Sequence, residues 1–330
     1  MTALTLLPST DLAAVDAANH PALVYLASLA SGSQRTMRQA LNTIAALLGA
    51  PERLDVDGRD ARFVAVPWHL LRYQHTAAIR SKLAEQFAPA TANKMLAALR
   101  GTLREAQRLG LMRAEDYTRA VDVRGIKAER LPRGRALSGG EIAALMDACL
   151  ADDTPAGARD AALLALMRVC GPRRAEVASL ALADYTAETG SLVIRHAKGN
   201  KQRIVYVEDG NARDALADWI AVRGSAPGPL FVPIDKAGRA ELRQLTTQGV
   251  FVILDKRRVE AGVAPFTPHD LRRTFISDLL DAGADIVVAQ RLAGHAQVET
   301  TARYDRRGEV AKRKAAALLH VPYRKRENHA

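Results

Sequence analysis

Between Gln34 and Leu48, apolar residues fall at Met37, Leu41, Ile44, Leu47 and Leu48. These three- and four-residue intervals put them on one side of an α-helix. Gly49-Ala50-Pro51 predicts where that helix stops. A second helical pattern runs from about Trp68 to Phe87, and a third opens after Pro89 with Thr91 as N-cap. The third turns Met95, Leu96, Leu99, Leu103 and Ala106 inward, shows Asn93, Lys94, Arg100 and Arg104 outward, and closes at Gly110. Ahead of these helices, residues 1 to about 19 are Ala-rich and weakly patterned, which predicts a loose leader.

The periodicity breaks at RGIKAERLPRGR, Arg124 to Arg135, a basic stretch punctuated by Pro and Gly. Directly after it, Ser138-Gly-Gly-Glu141 is a capping-box signature ahead of an apolar run from Ile142 to Leu150. Ser191 to Arg195 and Arg203 to Val207 are β-branched runs flanking a Gly-Asn turn, which predicts a hairpin. Past Ala212 the patterns are helical again, apart from a short apolar piece at Leu230 to Val232. The expected organisation is a leader over 1–20, a helical domain over 21–122 and a basic linker over 123–136. A second domain follows over 137–330, its tail starting at about 308. No internal repeat is visible.

Composition sharpens this picture. At 330 residues two domains are expected. With 48% hydrophobic and 25% charged residues the chain has the balance of a folded protein, and with only 5% aromatics its core must be built from Ala, Leu, Val and Ile. That favours helices. The formal net charge of +11, carried by 37 Arg and only 10 Lys, suits a polyanionic partner gripped through phosphates, with nucleic acid first. Two cysteines, Cys149 and Cys170, exclude a disulfide framework or a cysteine-rich zinc module, and both lie in apolar helical patterns that predict burial. No apolar run reaches the ~18 residues of a membrane span, and the first residues lack the basic start of a signal peptide, so a cytoplasmic protein is expected.

Three local constellations could carry chemistry. In Cys170-Gly-Pro-Arg173-Arg-Ala-Glu176, Gly171 ends one helix and Pro172 suits the first position of the next. Arg173 is then expected in the first turn, where free amides and the helix dipole already favour an anion. In Thr267-Pro-His269-Asp-Leu-Arg272-Arg-Thr274, a capped helix start places His269 and Arg272 three apart on one face. The dipole at that terminus should lower the imidazole pKa and leave it able to accept a proton. In the third, Leu292-Ala-Gly-His295 is followed nine residues later by Tyr304. Each constellation alone fits an ordinary surface Arg, a packed first-turn His or an interface Tyr.

Taken together they resemble the tyrosine site-specific recombinases, the phage integrase and Xer family. G-P-R-R-A-E matches that family's G-L-R-x-x-E, A-K-G-N-K its hairpin G-K-G-N-K, and H-D-L-R-R its H-x-L-R-H. A-G-H matches L-G-H, with a Tyr nine residues on. The resemblance spans about Leu137 to Ala317; upstream only the helical character agrees. Pro172 replaces the usual Leu, and Arg273 stands where many members carry His.

The resemblance implies a mainly α protein with a small β-hairpin or sheet. An α+β catalytic domain and a helical, SAM-like core-binding domain would form a clamp around DNA. It implies that Tyr304 attacks a DNA phosphate to leave a 3′-phosphotyrosyl link, with His269 as proton acceptor or positioner. Arg173 and Arg272 would hold the non-bridging oxygens, and His295 would donate a further hydrogen bond. Lys198 would protonate the leaving 5′-oxygen, with Lys201 the near competitor. Glu176 would support the basic cluster. No cofactor or metal is implied. Expected partners are duplex DNA with inverted-repeat half-sites, further copies forming a tetramer through the tail, and accessory proteins or a second recombinase. Contacts to DNA are expected from Thr91, Asn93, Lys94, Arg100, Lys201 and Arg203. Two other readings share the basic character, a type IB topoisomerase and a catalytically silent DNA-binding protein.

Overall fold

The computed structural model describes residues 17–127, 134–197 and 201–305, with isolated positions 313, 316, 317 and 322; the side chains of 196, 197 and 201 lie outside it. The chain divides into two compact units, residues 1–131 and 132–330.

The first unit is helical: α1 (Pro21–Ala27), α2 (Ser31–Leu47), α3 (Tyr73–Gln86), α4 (Pro89–Arg108) and α5 (Ala114–Val121). Helix α4 is its spine. Met95, Leu96, Leu99, Leu103 and Ala106 are buried on it as their spacing predicts, against Leu41, Ile44 and Leu83. Gly101 lets α1 approach, because a Cβ there would overlap the Tyr25 ring.

Two predicted boundaries move. The helix expected from Trp68 begins only at Tyr73, since Trp68 is spent as a core anchor in a 3-10 turn, its indole N–H donating to the Phe63 carbonyl at 2.9 Å. Helix α4 starts at Pro89 with Ala88 as N-cap, so Thr91 already lies in the first turn. The start of the predicted linker packs on this unit. Val123 is buried, Arg80 Nε donates to the Arg124 carbonyl at 2.6 Å, and Asn93 brackets Ile126 by donating to its carbonyl and accepting from its N–H, each at 2.8 Å.

The second unit runs α6 (Gly139–Leu150), α7 (Pro155–Cys170), α8 (Arg174–Ser179), β1 (Tyr185–Thr186), β2 (Ser191–Ala197), β3 (Lys201–Tyr206), α9 (Gly210–Arg223), α10 (Thr247–Glu260), α11 (Pro268–Asp281), α12 (Ile286–Ala293) and α13 (Val298–Ala302). The Ser138 capping box forms, with Ser138 N donating to Glu141 Oε2 at 2.9 Å. Helix α7 is buried nearly all round and forms the centre of the core. Both cysteines are free and buried, and burial pushes each thiol up to about 12.

The strands make one antiparallel sheet, ordered β1-β2-β3, with an irregularity between Ile194 and Ala197 beside the turn. Leu192, Ile194, Val205 and Val207 face the core, while Ile204 and Tyr206 face outward. Leu230 to Val232 are buried without forming a strand, and the Leu230 carbonyl accepts the Trp219 indole N–H at 2.8 Å. A buried ion cluster ties α7 to α10. Arg257, 1% exposed, donates to Asp160 at 2.8 Å, Asp152 at 2.5 Å and Glu260 at 2.9 Å. Among the described residues, no helix is long and apolar enough to cross a membrane.

Candidate active site

Four turns of the second unit deliver the site. Helix α7 stops at Gly171, whose left-handed backbone (φ 56°) faces the Phe275 ring with no room for a Cβ. The chain then runs extended through Arg173, which is the N-cap of α8 rather than a residue of its first turn. Its N–H donates to Glu176 Oε2 at 2.7 Å, and its guanidinium donates to Glu176 Oε1 at 2.9 Å and to the Gly294 carbonyl at 3.0 Å.

Helix α11 starts as its sequence predicts. Asp270 accepts from the N–H (2.9 Å) and hydroxyl (2.8 Å) of Thr267, Pro268 takes the first helical position, and His269 follows. Arg272 is only 2% exposed, and its guanidinium donates to the carbonyls of Gly171 at 2.6 Å and of Ala293.

Helix α12, capped by Asp285, ends on Gly294 in the left-handed region (φ 65°), which turns the chain so that His295 faces back over the site. His295 Nδ1 lies 2.9 Å from Thr301 Oγ1, fixing the ring. Tyr304, 8% exposed, follows α13 and is held by Ser277 Oγ donating to its carbonyl at 3.3 Å. Its ring stacks on His295 with centroids 6.0 Å apart, and the Arg273 guanidinium lies 5.0 Å over it. Its hydroxyl is 3.2 Å from His269 Nε2. Arg173, His269, Arg272, His295 and Tyr304, scattered over more than a hundred residues of sequence, thus converge. Arg173, Arg174, Thr267, Pro268, His269 and Arg272 line an open cleft of about 430 Å³ beside them.

Burial and mutual repulsion set the electrostatics. Burial first, then the neighbouring cations Arg272 and Arg273, hold the His269 pKa below its ordinary value, the direction expected from sequence. Burial and the same arginine cluster bring His295 down to about 4. Both imidazoles are therefore neutral at pH 7. Burial, with Arg173 and Arg203 nearby, lowers Arg272 to about 10, still charged. For Glu176 burial opposes ionisation, but hydrogen bonds from Arg203 and Arg173 overcome it and hold the carboxyl at about 2.

Among residues expected to touch DNA, three are committed inside the protein. Asn93 and Arg100 hold the backbone of Ile126 and Val123. Arg203 has a side chain only 9% exposed, with its fork on Glu176 at 2.9 and 2.7 Å. A hint of this lay in strand alternation, since Arg203 shares a face with Val205 and Val207, both core residues. Lys94 is exposed and Thr91 half-buried. Lys198 lies outside the described residues, and Lys201 is placed only as a backbone partner of Ala197. Among the described residues no cluster of His, Cys, Asp and Glu is gathered as a metal site.

A family model described as the phage integrase family matches residues 135–309. Tyrosine recombinase XerC of Alcanivorax borkumensis is 32% identical over 292 residues, covering 83% of this chain and 91% of its own. Tyrosine recombinase XerD of Pseudomonas aeruginosa is 30% identical over 285 residues, covering 84% and 87%. In fold, the chain is similar to the Tn1549 transposon integrase in complex with transposon right-end DNA (TM-score 0.64, 14% identity, 91% and 99% covered). It is also similar to a lambda integrase dimer bound to a COC′ core site (TM-score 0.63, 16% identity, 88% and 94% covered).

Proposed function

The chain belongs to the phage integrase family and is a tyrosine site-specific DNA recombinase, and from that premise we propose the work of each residue in its site. The 3.2 Å separation between Tyr304 Oη and His269 Nε2 carries the reading. With His269 neutral and its Nε2 lone pair turned to the phenol, the hydroxyl hydrogen bonds to the base that will take its proton. A free phenol near pKa ~10 is a weak nucleophile at pH 7 and needs this help.

The phenolate oxygen attacks a backbone phosphorus. A P–O bond to tyrosine forms as the P–O5′ bond breaks, and the free 5′-hydroxyl takes up a proton. A 3′-phosphotyrosyl link preserves the ester energy, and attack by the 5′-hydroxyl of a partner strand reverses the step and returns the proton to Tyr304. Arg173 and Arg272 face the cleft and hold the non-bridging oxygens as charge builds on them. The carbonyls of Gly171 and Ala293 keep the Arg272 fork from swinging. His295, braced by Thr301, donates a further hydrogen bond, and Glu176 aligns Arg173. Lys198 is the proposed acid for the 5′-oxygen. Because Tyr304 meets His269 of its own chain, each protomer cleaves with its own nucleophile.

The helical first unit serves as the core-binding domain and the second as the catalytic domain, both bound to duplex DNA with inverted-repeat half-sites in the cytoplasm. Thr91, Lys94 and Lys201 remain the proposed DNA contacts. The basic, apolar stretch from about residue 308 lies almost wholly outside the described residues; its proposed role is to bind a neighbouring copy and so build a tetramer on two sites. Deleting it should abolish cooperative assembly on DNA by native sizing and spare single-site binding; unchanged assembly refutes the swap.

The decisive experiment is covalent capture on fragmented DNA of the source organism, followed by denaturation and recovery of protein-linked fragments. Enrichment of one inverted-repeat site, absent with Tyr304→Phe, is the expected result. Adducts that survive in Tyr304→Phe overturn the nucleophile, and adducts scattered without site preference favour a topoisomerase-like activity.

A further inference from the structure

Arg203 is bound on three sides by groups of the site, yet none of the steps above uses it. From β3 its Nη1 and Nη2 donate to Glu176 Oε1 and Oε2 at 2.9 and 2.7 Å, and its Nε donates to the Leu292 carbonyl at 3.0 Å. That carbonyl is the first of three in a row. Leu292, Ala293 and Gly294 accept in turn from Arg203, Arg272 and Arg173, so the electronegative end of α12 gathers three guanidinium groups that would otherwise repel. Glu176 is the carboxylate set among them, 2% exposed.

The charges decide what Arg203 does. Three arginines and one glutamate leave two positive charges for a phosphate. Arg203 takes both oxygens of Glu176 in a fork-to-fork pair, whereas Arg173 reaches Oε1 with one guanidinium nitrogen. Without Arg203, Arg173 would be the remaining cation hydrogen-bonded to Glu176, and the pair would be neutral. Arg272 alone would then face the substrate.

We propose that Arg203 is a positioning residue that neutralises Glu176, so that the charge of Arg173 stays available to the DNA phosphate. The proposal rests on Arg173 being a phosphate ligand, and it concerns charge rather than packing alone. The two are separable. If Arg203 acts by countering Glu176, removing that carboxylate as well returns the net charge to two and restores function; if Arg203 only braces the fold, removing a second anchor makes matters worse.

The test compares Arg203→Met, Arg203→Lys, Glu176→Gln and the double variant Arg203→Met/Glu176→Gln in the full-length protein. Inorganic phosphate is the first probe, read as the phosphate-dependent rise in melting temperature that is lost in Arg173→Ala. Losing one unit of charge a few ångströms away should weaken phosphate affinity about tenfold or more in Arg203→Met. Arg203→Lys should retain most of it, and the double variant should recover it. The covalent adduct yield on the DNA site captured by the native protein should follow the same order.

A double variant no better than Arg203→Met overturns the proposal, as does Arg203→Lys failing as fully as Arg203→Met, or Arg203→Met keeping native phosphate affinity. If the native protein captures no DNA at all, the recombinase site assignment falls, while the phosphate series still decides the role of Arg203.

Discussion

Replacing Gly294 with alanine should damage both stability and chemistry, and the structure says by how much. At φ 65° an L-residue sits in the left-handed region, which costs about 1–2 kcal/mol. The new Cβ would lie 2.9 Å from Arg203 Nη1, 3.0 Å from its Cδ and 3.1 Å from its Cζ, closer than carbon tolerates. A free arginine would yield, but this one is pinned by three hydrogen bonds to Glu176 and Leu292, so yielding means giving up at least one charged bond, about 1.5–3 kcal/mol. The sum is about 2.5–5 kcal/mol. At about 2–4 °C per kcal/mol for a unit of this size, the melting temperature should fall by roughly 5–20 °C. Gly262 supplies the control, since it has nearly the same backbone (φ 62°) and nothing within 4 Å of its would-be Cβ. Gly262→Ala should lose only the backbone share, about 1–2 kcal/mol. Calorimetric melting of both variants, with covalent adduct yield on captured DNA alongside, gives the comparison. Equal losses in the two would refute the claim that the Gly294 turn is packed against a pinned Arg203.

Two further outcomes follow from the buried charges. The pKa of His295 near 4 in the folded protein lies below the ordinary 6.5, so the unfolded chain takes up the proton first as pH falls. Its contribution is therefore complete above about pH 6.5 and lost progressively toward pH 4, by at most about 3 kcal/mol before allowance for its partial exposure; His295→Gln should flatten the melting temperature across that window, and an unchanged slope would assign the acid sensitivity elsewhere. Arg257→Met should destabilise the second unit by about 3–5 kcal/mol in urea unfolding, because it strips Asp160, fully buried, of one of its two guanidinium partners; a loss under about 1 kcal/mol would mean that Arg159 alone satisfies that carboxylate.

Much of this architecture was legible because helices advertise themselves. The buried face of α4, the capping boxes at Ser138 and Thr267 and the glycine stops at Gly171 and Gly294 are local features, decided within a turn or two of the chain. The boundary errors have local causes too. Trp68 looked helical from its neighbours but was claimed by the Phe63 carbonyl, and Pro89 took the first helical position that had been given to the residues after Thr91. The linker was read by composition alone, which cannot show that Val123 is buried and that Asn93 and Arg100 bind the backbone beside it. Those two side chains point outward from α4 in a helical projection, and only the returning chain covers them.

The site itself shows where a motif stops informing. Matching five short signatures identifies which residues meet, yet it treats each as a label. It gives no reason why three arginines tolerate one another at the end of α12, and it assigns Arg203, which carries no signature, to the DNA by default. The reason is the run of carbonyls from Leu292 to Gly294 and the single carboxylate of Glu176. A guanidinium cluster assembled before its phosphate arrives must be held by dipoles and one counter-charge weak enough to leave net positive charge exposed. A second carboxylate would cut that net charge from two to one; none at all would leave three cations repelling one another. Strand alternation did place Arg203 on the same face as Val205 and Val207, and a charged residue on a core face demands a buried partner of opposite sign. Glu176, three residues past Arg173 in the first turn of α8, is that partner. The alternation along β3 thus points to Arg203, the member of the cluster that the motifs leave out.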